Sequence, residues 1–244
     1  MKLLAAAKHG FMAFWYLHAR MLNSLMPSVT LDGKRLVIFP GVYKPLENEQ
    51  TSSAYCREGD RVLDLGCGSG VGSVFCAPKA REVVAVDISL PAVRNTEENC
   101  RLHGLKNVTV MQSDMFDKVE GKFDLILANA PYIDDEFEAE DHQFATSRKY
   151  LATLFAKAGD HLATDGRLVI QFPVKAQRKI VKLALAHGLD LVSVRRMPPK
   201  PFMISLLSVL YIQIGFQSAL YQLRRQSMDA TVPVPVKPRR SAAA

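Results

Sequence analysis

From Arg61 onward, short runs dense in Val, Ile and Leu alternate with stretches in which apolar residues recur every three or four positions. The first pattern suits strands buried on both faces, the second suits helices laid across them, and their alternation predicts a parallel sheet covered by helices. Strands are expected at Arg61–Leu65, Glu82–Ile88, Val108–Gln112, Phe123–Ala128, Arg167–Phe172, Leu189–Arg195 and Ser205–Ile214. Helices are expected at Gly70–Ala77, Leu90–His103, Ala145–His161 and Val174–His187. The class is therefore α/β: a seven-stranded, mostly parallel sheet with helices on both faces, plus an N-terminal helical addition.

Two apolar stretches lie outside this alternation. In the first, Phe11, Phe14, Trp15, Met21, Leu22 and Leu25 recur at helical spacing, while Lys8, His9, His18 and Arg20 interrupt any signal-peptide or bilayer core. An amphipathic helix over 11–26 that covers the substrate side of the sheet is the expectation, with no membrane span. The second, Met203 to Leu220, contains Ser205, Ser208, Gln213, Gly215 and Gln217 and is short for a bilayer, which needs about 20 apolar residues. It is read as a buried strand. Residues 226–244 show no apolar periodicity and read as a flexible basic tail. The expected division is thus 1–50 as an N-terminal cap, 51–225 as the α/β domain and 226–244 as the tail.

Composition adds exclusions. With 48% hydrophobic and 23% charged residues, the chain is neither disordered nor fibrous. Cys56, Cys67, Cys76 and Cys100 form no CxxC pair and the six histidines no cluster, so neither a disulfide framework nor a metal site is expected, and a reducing, cytoplasmic setting fits. The net charge of +7 suggests an anionic partner until its placement is considered. Residues 1–44 carry +5 and residues 222–244 carry +4, which leaves −2 for everything between. The basicity belongs to the ends.

The chemistry concentrates at the predicted strand ends. RVLDLGCGSG, residues 61–70, is a strand ending in Asp64 and running into a turn with Gly66, Gly68 and Gly70. Glycines there let the backbone turn sharply and approach a ligand, and the following helix offers its N-terminus. A dinucleotide site would place a third glycine three residues after Gly68, where this chain has Val71. Asp87, 21 residues after Gly66, ends the next strand, where a carboxylate can accept from two ribose hydroxyls. Asp114 ends the third, and Asn129-Ala130-Pro131-Tyr132 follows the fourth.

The D-x-G-x-G-x-G spacing resembles motif I of the S-adenosylmethionine-dependent methyltransferases of Rossmann-like fold. The resemblance implies S-adenosyl-L-methionine as cofactor, held by Asp64, Gly66, Cys67, Gly68 and Gly70, by Asp87 with Ile88, by Asp114 at the adenine amino group with Met115 beside the ring, and by Asn129. Asn129-Ala130-Pro131-Tyr132 is similar to the (D/N)-P-P-(Y/F) signature of the glutamine-N5, adenine-N6 and cytosine-N4 enzymes. There the Asn oxygen and the next carbonyl accept the N–H bonds of the target amine, and the aromatic ring packs on it. In this chain Ala130 replaces the first proline, which keeps the carbonyl and loses the rigidity. Asn129, Ala130, Pro131 and Tyr132 are thus the implied catalytic residues. Val42-Tyr43-Lys44-Pro45-Leu46-Glu47 resembles the V-Y-x-P-x-E segment that precedes motif I in the glutamine-N5 group, with Asn48 and Glu49 where that group has Asp and Thr.

The implied function is transfer of a methyl group to a nitrogen of a small molecule or protein side chain. Methylation of an RNA or DNA base, and O-methylation of a small metabolite, are the alternatives. Residues 133–142 carry six carboxylates and no Lys or Arg, a field that would repel a phosphate backbone, and His142 within them reads as a surface residue.

Overall fold

The computed structural model describes residues 2–130, 148–211 and 218–226. Helix α1 (Lys2–Leu25) leads into a hairpin of β1 (Ser28–Leu31) and β2 (Lys34–Val37), and a 3-10 turn at Glu49–Tyr55 precedes the sheet domain. That domain runs β3 (Arg61–Leu65), α2 (Val71–Cys76), β4 (Glu82–Asp87), α3 (Leu90–Leu102), β5 (Val108–Gln112), β6 (Phe123–Asn129), α4 (Arg148–His161), β7 (Leu162–Pro173), α5 (Gln177–Ala186), β8 (Leu189–Arg196), α6 (Phe202–Leu210) and β9 (Ser218–Arg225). The sheet order is β5-β4-β3-β6-β7-β9-β8, with the first five strands parallel and β9 antiparallel to both β7 and β8.

The strands form where the apolar runs predict because both faces of the sheet are covered. Leu63, Leu65, Val84, Ile126, Leu168 and Ile170 point to the face packed by Leu154 and Phe155 of α4 and Ile180 of α5. Their neighbours Val62, Val83, Leu125, Leu127 and Val169 point to the other face, against Cys76 and Ala77 at the end of α2. The period of two is hidden in sequence by apolar residues on both sides.

One expected strand is corrected. Phe202–Leu210 is a helix, started by Pro201, and the antiparallel strand at that end of the sheet is Ser218–Arg225; residues 212–217 lie outside the described residues. Ile204, Leu207 and Tyr211 face inward at helical spacing, but Phe202, Met203, Leu206 and Val209 are exposed and equally apolar, so the helical period is masked. The β1–β2 hairpin was not anticipated either. Its turn, Asp32-Gly33, has both residues at positive φ (+43° and +80°), the conformation that an Asp-Gly pair favours between short strands.

The N-terminal region is tied to the sheet domain by polar groups. Asn95 and Asn99, one turn apart on α3 and fully buried, bind the end of β2 and the chain just past it: Asn95 Oδ1 accepts from Phe39 N (2.8 Å), and Asn99 Oδ1 from Val37 N (2.8 Å). Asn99 Nδ2 also donates to Ser69 O (2.8 Å), which joins the hairpin to the glycine turn. Each such buried bond costs about 1–3 kcal/mol when one partner is removed.

Candidate functional site

Parallel strands bring their C-terminal ends to one edge. Leu65 pairs with Val86 on one side and Ala128 on the other, Asp87 pairs with Gln112, and Asn129 with Gln171. Gly66, Asp87, Ser113 and Asn129 therefore leave the sheet at nearly the same level. The strand order turns back between β3 and β6, and the crevice at such a switch point is where open α/β sheets bind ligands.

The turn after β3 is fixed by backbone contacts and one buried carboxylate. Gly66 N and Cys67 N both donate to Val86 O (2.8 and 3.0 Å), and Gly66, Gly68 and Gly70 all lie at positive φ (+74°, +56° and +79°). Asp64 Oδ2 accepts from Ser73 N and Ser73 Oγ, each at 2.7 Å, pinning the first turn of α2 to the end of β3. Burial raises the Asp64 carboxyl to about 6, the two Ser73 bonds opposing and the Asp87 charge adding to the rise. A Cβ on Gly72 would stand 2.7 Å from Asp64 Oδ1, so only glycine fits there. Space beyond Gly68 is open, with no atom within 4 Å of a Cβ built on it.

Asp87 holds the turn from the adjacent strand. Its Oδ2 accepts from Gly68 N (3.0 Å) and its Oδ1 from Ser89 N (2.9 Å), while burial pushes its carboxyl upward against those bonds. Ile88, next to it, is an exposed aliphatic side chain. Cys67 is buried, its thiol pushed well up by burial and by Asp87, and it accepts from Thr96 Oγ1 (3.3 Å); it serves as packing, without a reactive thiolate. Met115 sits at positive φ (+50°) just past β5 and packs on the main core, and Asp114 before it pairs with Lys149 at 3.1 Å.

The structure thus places Asp64, Gly66, Cys67, Gly68, Gly70, Asp87, Ile88, Asp114, Met115 and Asn129 at or just past the C-terminal ends of adjacent strands, on one edge of the sheet. Asn129 ends β6 and Ala130 is buried after it, whereas Pro131, Tyr132, the acidic run and His142 lie outside the described residues. Several contributors had not been singled out. Tyr150, on the first turn of α4, donates its hydroxyl to Leu65 O (2.9 Å) and lays its ring 3.6 Å from a Cβ built on Gly66. Only Ser73, at the start of the helix, carried a local signal.

Beside Asn129 the edge is closed by the segment before β3. Gln171 Nε2 donates to Glu47 O (3.3 Å), Glu47 pairs with Lys200, and Lys200 Nζ donates to Ser208 Oγ (3.0 Å). Glu49 Oε2 accepts from Glu47 N (2.9 Å), and Glu49 Oε1 is buried with no hydrogen-bond partner among the described residues. Burial raises the Glu49 carboxyl to about 8 and the Glu47 carboxyl above its ordinary value, so the surroundings of Glu49 favour its neutral form. Asn48, at positive φ (+58°), donates to Pro198 O at 3.1 Å.

Residues 49–187 match the Methyltransferase small domain family. The chain belongs to that family. A Methanocaldococcus jannaschii member, whose name is that of a protein N5-glutamine methyltransferase, is 37% identical over 108 residues, 43% of this chain and 54% of the relative. A Salmonella choleraesuis ribosomal RNA small subunit methyltransferase C is 32% identical over 157 residues, 61% of this chain and 43% of that one. The chain spans about half, or less, of the length of these curated relatives. Among solved structures, the Methanocaldococcus jannaschii tRNA m1G37 methyltransferase superposes with a TM-score of 0.61 at 18% identity, over 82% of this chain and 56% of that one. That likeness establishes the shared Rossmann-like methyltransferase fold. Among the described residues no helix is long and apolar enough to cross a membrane, and no group of three or more His, Cys, Asp or Glu could hold a metal ion.

Proposed function

We propose that this member of the family transfers a methyl group from S-adenosyl-L-methionine to a nitrogen atom of a protein side chain or a small molecule. The observation that carries this reading is the position of Asn129, at the end of the strand next to the glycine turn and on the same edge as Asp87. The cradle suits the cofactor: three left-handed glycines, open space over Gly68 and an exposed Ile88 for a flat ring. Asp87 uses one lone pair on each oxygen for the turn and keeps others for two ribose hydroxyls. Asp114 is the acceptor for the adenine amino group, with Met115 alongside.

When bound, the cofactor supplies a methyl group on a positively charged sulfur. The chain's own contribution is orientation. The Asn129 side-chain carbonyl and the Ala130 main-chain carbonyl accept the two N–H bonds of the target amine and aim its lone pair. Such positioning is worth several kcal/mol, up to about 7–11 in well-oriented cases. No general base is required if the proton leaves after transfer. Residues 1–50 act as the cap on the acceptor side, a role supported by the Gln171–Glu47 contact beside Asn129, and the free, buried cysteines support a reducing, cytoplasmic setting.

A second reading, methylation of an RNA base, is favoured by the basic ends and by relatives named for ribosomal RNA and tRNA. The net −2 of the domain between those ends argues for the first. Replacing Asn129 by Ala should lower the methylation rate about a hundredfold or more and weaken cofactor affinity by a much smaller factor, because the main loss falls on the nucleophile's orientation. Mass spectrometry of the product identifies the methylated atom. A methyl group on oxygen, or an Asn129→Ala enzyme as fast as wild type, would remove this reading.

A further inference from the structure

Helices α1 and α6 meet at one end of the molecule and leave an apolar face uncovered. Trp15 Nε1 donates to Tyr211 O (2.9 Å), and His18 Nε2 bonds Leu210 O (2.9 Å). The inward stripe of α1, with Trp15 and Leu22, is buried against this contact. Its other stripe is as apolar and faces out: Phe14, Leu17 and Met21 are each more than half exposed, as are Phe202, Met203 and Leu206 on α6. His18 joins the two outer stripes, since its ring stacks on Phe14 (5.7 Å between centroids) while it binds the end of α6. Isolated exposed apolar residues are ordinary, but two adjoining helices with their outer faces apolar mark an interaction surface.

Charge indicates what the surface meets. Residues 1–31 and 191–228, which include both helices, contain no Asp or Glu, although the chain has 24. They carry eight cations: Lys2, Lys8, Arg20, Arg195, Arg196, Lys200, Arg224 and Arg225. Lys200 is paired with Glu47, whereas Arg20 on α1 and Arg195 and Arg196, which end β8 five residues before α6, are exposed. A second copy of this chain would set cation-rich rims against each other. RNA would satisfy the cations and leave the aliphatic face of α6 wet, because nucleic acid is held through phosphates and stacked bases.

We infer that the α1–α6 face docks on an anionic phospholipid bilayer, with the Phe and Leu side chains entering the acyl boundary and Arg20 and the Arg195–Arg196 end of β8 at the headgroups. Apolar burial combined with attraction to anionic lipid is how interfacial helices bind without spanning. Docking would also set the acceptor side of the site near the lipid, since Lys200 and Pro198, just before α6, touch Glu47 and Asn48. The inference is independent of the reaction proposed above.

Co-sedimentation of the full chain with phosphatidylcholine vesicles, with and without phosphatidylglycerol, tests this. The expectation is about tenfold or stronger preference for the anionic vesicles, weakened by salt. The double substitution Phe202→Ser with Leu206→Ser should lower binding about tenfold while leaving the unfolding midpoint in place, because both side chains are exposed. Arg195→Ser with Arg196→Ser should lower it by a similar factor and reduce the salt dependence. No binding to anionic vesicles, equal binding by the variants, or a solution dimer that Phe202→Ser with Leu206→Ser dissolves would overturn the inference, the last result assigning the face to a second copy.

Discussion

The two halves of the sheet's C-terminal edge are built in different ways. At the ends of β3 and β4, backbone does most of the shaping: Val86 O takes two N–H groups, three glycines turn left-handed, and Asp64 and Asp87 bind main-chain donors within reach of the same turn. At the ends of β6 and β7, side chains from remote segments do it: Gln171 reaches Glu47 across 124 positions, and Lys200 reaches Glu47 across 153. A backbone-built site imposes spacing on a short stretch and admits few substitutions. One built from side chains can exchange members, and Ala130 and Glu49 stand where the resembling enzymes have Pro and Thr. The cofactor half should therefore be common to the family, and the acceptor half particular to this chain.

The largest effect should come from striking the backbone-built half. A Gly72→Ala methyl group would lie 2.7–2.8 Å from three atoms of the Asp64 carboxyl group and push it off Ser73. The expected cost is about 3 kcal/mol, from overpacking together with the two lost bonds, with cofactor binding reduced at least about a hundredfold. Urea unfolding and calorimetry check the two parts. A variant with wild-type stability and affinity would show that the turn is more plastic than its contacts imply.

A smaller effect, of different character, is expected in the other half. Burial holds the Glu49 carboxyl at about 8, whereas in the unfolded chain it titrates near 4.5. The folded form thus binds the extra proton between those values. The stability that Glu49 contributes is complete below about pH 4.5 and is lost as pH rises towards 8. Glu49→Gln, neutral throughout, should match wild type near pH 5 and exceed it near pH 8 by about 2 kcal/mol, less than the full shift because local opening readmits water. Denaturation at the two pH values measures this. A constant difference between the proteins would show that Glu49 does not titrate in the fold.

How much was legible follows the same division. β3 and β5 begin and end where their apolar runs do, and the Asp64–Gly70 spacing and Asp87 were read from a local pattern. Phe202–Leu210 was misread because a helix apolar on both sides carries no period. Asp32-Gly33 did carry a hairpin signal, overlooked beside strands of only four residues. Tyr150, Lys149, Gln171 and Lys200 had none: their importance lies in what the fold brings beside them.

If Asp64, the glycine turn and Asp87 form a site for an adenosyl sulfur ligand, titration calorimetry with S-adenosylhomocysteine, on wild type and on Asp87→Ala, will show it. Wild type should bind with a dissociation constant in the micromolar range, about −8 kcal/mol. A loss of about tenfold or more is expected for Asp87→Ala, which leaves the ribose hydroxyls and the Gly68 and Ser89 N–H groups without their acceptor. No heat with wild type, or equal affinity in the variant, would contradict that assignment.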